Sequence, residues 1–182
     1  NHSLAVKTDR TLWSWGQNSQ GQTAQGVPVT FTPTQIGVDT TWISVAAGGD
    51  SSFAIKKDGT LWSWGKNNHG QLGLGDTSDR ANPEQVGIGT KWVMVSAGLN
   101  HALALQVDGS LWAWGSNGFG QLGQSGSDVY APVQIDAGSW TKVAAGGFHS
   151  VALDSVGQVF TWGKNNRGQL GQGTSGASVA TI

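Results

Sequence analysis

The sequence predicts an all-β chain folded as a β-propeller, a ring of four-stranded antiparallel blades, and three observations carry that prediction. Trp-Gly pairs recur at Trp15-Gly16, Trp64-Gly65, Trp114-Gly115 and Trp162-Gly163, spaced 49, 50 and 48 residues apart. A fixed period of roughly 20 to 50 residues is the signature of solenoids and propellers. Apolar residues within each unit alternate with period 2 over runs too short for helices, as half-buried strands do. Glycine supplies 29 of 182 residues, about twice its usual share, as a chain that turns often requires.

Each unit repeats the same chemistry in order. One runs Val45-Ala-Ala-Gly48, Phe53-Ala-Ile55, Asp58-Gly59, Leu61-Trp-Ser-Trp-Gly65, Asn67, Gly70-Gln-Leu-Gly73, Pro83 and Trp92. The next runs Val95-Ser-Ala-Gly98, Leu103-Ala-Leu105, Asp108-Gly109, Leu111-Trp-Ala-Trp-Gly115, Asn117, Gly120-Gln-Leu-Gly123, Pro132 and Trp140. Asp-Gly between two alternating runs is a hairpin signal. Strands are therefore expected at 43–47, 52–56 and 60–64, with a weaker fourth around 84–86 after Pro83, a residue suited to a strand start or a sheet edge.

Alternation explains why the units stack. In Leu61-Trp62-Ser63-Trp64 both indoles share a face, and in Phe53-Ala54-Ile55 the small residue sits between bulky neighbours. The expectation is a sheet with one large-residue and one small-residue face, the tryptophans of one blade meeting Ala, Ser and Gly of the next. A buried Trp removes about 150 to 250 Å² from water, up to roughly 4 to 6 kcal/mol by area. The chain reads as a single repeat domain over 1–182, with units at approximately 1–33, 34–83, 84–132 and 133–182. That is about 3.7 units, against the 4 to 8 blades of closed propellers, so a piece of a longer repeat protein is expected, or a second copy completing the ring.

Composition narrows the function classes. Ten Lys and Arg balance eleven Asp and Glu, for a net charge of -1, which removes the usual driving force for nucleic acid or an anionic membrane. The absence of cysteine removes thiol nucleophiles, disulfides and Cys-ligated zinc. No apolar run approaches the length of a membrane span, so the chain is expected to be soluble.

Taken together, Ala97–Leu105, Asp108–Gly115 and Asn117–Gly123, with near copies in the other units, resemble the regulator of chromosome condensation repeat family over essentially the whole chain. The resemblance implies a seven-bladed parent ring. It also brings two family functions, guanine nucleotide exchange on the small GTPase Ran with chromatin binding, and ultraviolet-B perception by the plant photoreceptor. The photoreceptor's Trp-Arg before the repeat His is replaced here by Gly49-Asp50, Leu99-Asn100 and Gly147-Phe148. The exchange factor's insertions and basic tail have no counterpart. The double tryptophan, as in Trp62-Ser63-Trp64, is similar to bacterial repeats, whose functions are mostly undefined interactions; the compartment is left unknown, with a bacterial, secreted or surface-associated protein as one expectation.

The recurring residues read as structure. His2, His101 and His149 stand at one position of successive units, with Ser51 in the second. One histidine per blade suits a repeated hydrogen bond rather than a triad or a shared metal. Trp15, Trp64, Trp114 and Trp162, with Gly65 and Gly115, belong to the same frame. Gly70-Gln-Leu-Gly73-Leu-Gly75 lacks the Lys-Ser/Thr and helix of a phosphate loop. Asp76-Thr-Ser-Asp79-Arg80 lacks the ligands of a calcium loop and reads as an Asx turn. Asp9, Asp58 and Asp108 read as turn residues, with Asp154 in the corresponding linker. No catalytic residue, cofactor or metal is expected.

What varies inside a fixed frame is free of packing. The residue before each Gly-Gln stretch is Gln20, His69, Phe119 or Arg167, and the residue before the repeat His is Asp50, Asn100 or Phe148. These two rows on one rim are the expected contacts of a macromolecular, chiefly protein, partner, since aromatic and Arg side chains are enriched at binding hot spots. The reading is a non-enzymatic interaction scaffold. The alternatives are an exchange-factor-like regulator of a small GTPase and a carbohydrate-binding propeller using an exposed Trp.

Overall fold

The computed structural model describes residues 1–176 and 178. Fourteen strands form four antiparallel sheets with no helix among the described residues. The first sheet orders β1 (His2–Val6), β2 (Leu12–Gln17) and β3 (Val29–Ile36), and the second β4 (Trp42–Ala47), β5 (Ser51–Lys56), β6 (Leu61–Gly65) and β7 (Arg80–Val86). The third orders β8 (Trp92–Ala97), β9 (His101–Gln106), β10 (Leu111–Gly115) and β11 (Val129–Asp136), and the fourth β12 (Trp140–Ala145), β13 (His149–Asp154) and β14 (Val159–Gly163). Packing of β4 on β8 and of β8 on β12 puts these strands on the inner side of an arc of blades.

The outer strands start earlier than the sequence predicts. β7 begins at Arg80, and Pro83 lies inside it, as do Pro33 in β3 and Pro132 in β11. Register explains the tolerance. Ser63 faces Glu84 and Gly65 faces Arg80, so residues 81–83 bulge opposite Trp64, and residues 130–132 do the same opposite Trp114. A proline without an N–H costs nothing in an edge strand that has already left the ladder.

The Asp-Gly turns are built as expected. Gly59 and Gly109 adopt φ of 84° and 83°, and each turn ends in a relay. Asp108 Oδ1 accepts from the Ser110 hydroxyl at 2.6 Å, and that hydroxyl accepts the Trp112 indole N–H at 2.8 Å. Asp9, Thr11 and Trp13 repeat it, as do Asp58, Thr60 and Trp62. The Ser110 hydroxyl, and then its backbone N–H, hold the Asp108 carboxyl below the ordinary carboxylate range. In the fourth blade Val156 and Gln158 replace the Asp and the hydroxyl, and Phe160 replaces the indole. The ring that needs no acceptor occurs where the acceptor is missing.

Three apolar clusters fill the blade junctions. Phe53, Ile55, Leu61 and Val86 of the second blade meet Trp92, Val95, Ala102, Ala104 and Trp114 of the third. Leu103, Leu105, Leu111, Ala113 and Leu122 meet Trp140, Val143, Ala152 and Trp162 of the fourth. Leu12 of the first blade meets Trp42, Ala54 and Trp64 of the second.

This corrects the expectation of one bulky and one small face. Ala104 pairs across the ladder with Trp112 and Ala102 with Trp114, so the alanines lie beside the indoles on the same face. Each indole needs a small cross-strand neighbour to lie over, and the opposing blade fills the remaining volume with Leu, Ile and Phe.

Candidate functional site

Between the third and fourth blades, the Gln121 carbonyl accepts the Trp162 indole N–H at 2.9 Å and the Ser150 hydroxyl at 2.7 Å. His101 of the third blade reaches the same hydroxyl through Nε2 at 3.1 Å. Between the first and second blades the Gln22 carbonyl takes Trp64 at 3.0 Å and Ser52 at 2.7 Å, with His2 on Ser52 at 2.8 Å. Since the Ser proton goes to the carbonyl, the histidine donates from Nε2 and its Nδ1 stays bare. Nδ1 of both His2 and His101 is buried without a partner. Burial therefore pushes the His101 pKa down to about 4, with the neighbouring His149 adding to the effect.

The junction between the second and third blades differs in two positions at once. Ser51 replaces the histidine and Ala102 the serine, and the Gln71 carbonyl keeps only the Trp114 bond, at 2.8 Å. Introducing Ser51→His and Ala102→Ser together should restore the full set. A net gain of about 1 kcal/mol, absent from either single change, is the expected double-mutant coupling. Urea denaturation of the four proteins measures it, and additive single effects would contradict it.

The loops on this face are fastened by their motif residues. Asn117 Oδ1 accepts the Leu122 N–H at 3.1 Å while its Nδ2 donates to the Gln124 and Gly126 carbonyls at 2.9 and 3.1 Å. Leu122 is fully buried. Gly115 has φ of 99°, and a Cβ there would strike the Asn100 carbonyl oxygen. Gly65 stands in the same relation to Asp50. The Trp-Gly glycines thus let the third strand touch the loop before the repeat His.

The variable residues of the first row are held by backbone alone. The N–H groups of Gln20, His69, Phe119 and Arg167 each donate to the Oε1 of the Gln two positions on, all at 2.8 Å. Their side chains carry no part of that bond, which is the physical reason the position tolerates any residue.

The second row comes into contact with the loops of the preceding blade. Asp50 accepts from Gln22 at 3.3 Å and Asn100 lies 3.5 Å from Gln71. Phe148 meets Phe119 edge to face, with centroids 5.4 Å apart. Phe119 therefore packs forward onto the next blade rather than back onto its own. His69 turns outward to Asp128 of the third blade, Nδ1 to Oδ2 2.8 Å. Arg167 is exposed and Gln20 half-buried.

Sequence reasoning missed two neighbours. Lys164 stands 4.5 Å from the Phe119 ring centroid and 5.0 Å from that of Phe148. Leu99 bonds the Gly147 carbonyl through its N–H at 3.2 Å and is 44% exposed. Both occupy columns that vary between units, Gln17, Lys66, Ser116 and Lys164 in one and Gly49, Leu99 and Gly147 in the other. The signal that selected the two rows would have selected these as well.

Other chemistry is sparse. The Asp76 turn forms as expected, with Oδ1 accepting the Ser78 N–H at 2.9 Å, and Arg80 pairs with Asp76 at 2.6 Å. Among the described residues no group of three or more His, Cys, Asp or Glu could hold a metal ion. None of the ten tryptophans is exposed, and Trp13, Trp15, Trp62 and Trp112 are half-buried.

Comparison with known proteins places this architecture. Human WBSCR16 matches with a TM-score of 0.87 and 26% identity, over 99% of this chain and 48% of its own. Prp20p from Saccharomyces cerevisiae, described with its binding properties to Gsp1p and histones, matches with a TM-score of 0.92 and 24% identity, over 100% of this chain and 47% of its own. Yeast RCC1 (Prp20) bound to Kap60 gives 0.90 and 24%, over 100% and 46%. The chain thus spans about half the length of these structures. No curated protein matches the sequence. The model of the RCC1-like domain matches residues 1–181, and the chain belongs to that family.

Proposed function

We propose that this chain is a non-enzymatic interaction scaffold that presents Gln20, His69, Phe119, Arg167, Asp50, Asn100 and Phe148 to a protein partner. The observation that carries the reading is the repeated bond from each variable N–H to the invariant Gln side chain. It fixes where a side chain starts without restricting what it is, which is how a rigid framework carries a variable binding surface. Binding of Gsp1p and histones by Prp20p and the Kap60 complex of yeast RCC1 support a protein as the partner class.

Photo-crosslinking in the native cell tests this. A benzophenone side chain at Gln20 or Arg167 should give discrete protein adducts, while the same probe at Asp58 or Val156, on the opposite turns, should give none. Adducts from the turns alone would overturn the proposal. Exchange activity is tested separately, as release of labelled GDP from a purified small GTPase. The scaffold reading expects the spontaneous rate, and acceleration by the chain would replace it with the exchange reading.

A further inference from the structure

The third-to-fourth-blade junction differs from the others in charge and in chemistry. Its rim carries two aromatic rings in edge-to-face contact, a lysine ammonium over both, and exposed Leu99 beside the loop that bears Phe148. Phe119 is 36% exposed, far more than any aromatic ring of the blade cores. Arg167 adds a second cation on the same loop as Lys164. Among the described residues neither cation makes an ion pair.

Rim carboxylates elsewhere are already engaged. Asp128 is shared between His69 and the Asn117 N–H, Asp79 accepts the Asn67 N–H, Asp76 holds Arg80, and Asp50 accepts from Gln22. An apolar surface capped by unpaired cations is complementary to one kind of occupant, an apolar side chain flanked by a carboxylate. The cation-aromatic contact strengthens as water leaves, so a partner that covers the rings also holds the Lys164 ammonium more firmly in place for its carboxylate.

We infer that Phe119, Phe148, Lys164 and Leu99 form a docking site for an acidic segment of a partner protein, in which an aromatic or aliphatic side chain lies on the two rings and an adjacent Asp or Glu pairs with Lys164. The inference rests on the scaffold reading and specifies where on the rim, and to what, the scaffold binds.

Selection of a random peptide library displayed on phage, against the immobilised 182-residue chain, tests it. Enriched peptides should carry Asp or Glu within three positions of a large apolar residue. Phe119→Ala should weaken a synthesised winner by about 30-fold, the size of a hot-spot residue. Lys164→Glu should shift the selected sequences from acidic to basic while leaving the circular dichroism spectrum unchanged, which keeps the test valid if the Phe119→Ala variant fails to fold. Basic winners on the parent chain, or acidic winners indifferent to both substitutions, would overturn the docking site. Winners whose binding depends on Gln20 or His69 instead would leave the scaffold reading standing without this site. Winners whose binding no rim substitution alters would remove both.

Discussion

Trp114→Ala should cost the chain about 3 to 5 kcal/mol, the range for deleting a buried aromatic side chain. The Trp114 ring is fully buried between the second and third blades, edge to face with Phe53 at 6.2 Å and Trp92 at 6.0 Å. Its removal takes away the transfer energy of the ring and leaves a cavity that two rigid sheets cannot close. It also leaves the Gln71 carbonyl without the indole donor, at the one junction where no serine shares it. Trp114→Phe separates the terms. It retains most of the volume and forfeits the hydrogen bond, for an expected cost of about 1 to 3 kcal/mol. With total stabilities of about 5 to 15 kcal/mol usual for single domains, the alanine variant should show a large drop in its urea midpoint. A cost below about 1 kcal/mol would mean that the indole face is not a packed junction.

The second large effect is acid lability. His101 has its pKa lowered from 6.5 to about 4, with burial as the main cause. Between these values the unfolded chain takes up a proton that the folded chain refuses, so the unfolded state binds more protons and stability rises with pH. Acidification from pH 6.5 through pH 4 should therefore remove about 3 kcal/mol through this residue alone, and the loss should level off about one pH unit below that. His2 is lowered in the same direction, again chiefly by burial. Denaturation curves at pH 7, 5.5 and 4.5 should show the decline. His101→Asn should start from a lower stability and lose less on acidification, by about one proton's worth of slope. An unchanged slope would contradict the bare Nδ1 that the junction geometry assigns.

Much of this fold was legible because its constraints are periodic. The Trp-Gly interval and the Asp-Gly turns pass directly into blades and hairpins, while the prolines mark the outer strands from inside rather than from their starts. The outer-strand starts were hidden, since β7 begins at Arg80 in a stretch of polar residues whose bulge opposite Trp64 erases the period-2 pattern. The face assignment failed for a related reason. Alternation tells which residues share a side of one strand, but it does not reveal that Ala102 lies opposite Trp114 on the neighbouring strand.

The rim was half legible. Variation within a repeat identified Phe119 and Phe148 as exceptional, but not that they touch, since one belongs to the third blade and the other to the fourth. Co-substitution was present in the sequence and unreadable without geometry. Ser51 with Ala102, and Val156 with Gln158 and Phe160, are single events only when the hydrogen bonds connecting their counterparts are seen.

Hydrogen exchange at the indole N–H groups tests the central claim most directly. The Trp64, Trp114 and Trp162 protons bond the Gln22, Gln71 and Gln121 carbonyls at buried junctions, whereas those of Trp13, Trp62 and Trp112 bond turn hydroxyls at the partly exposed ends of their hairpins. The account predicts that the first three exchange only through opening of a blade junction, orders of magnitude more slowly than the second three. Equal, fast exchange of all six would show that the blades do not close over their tryptophans.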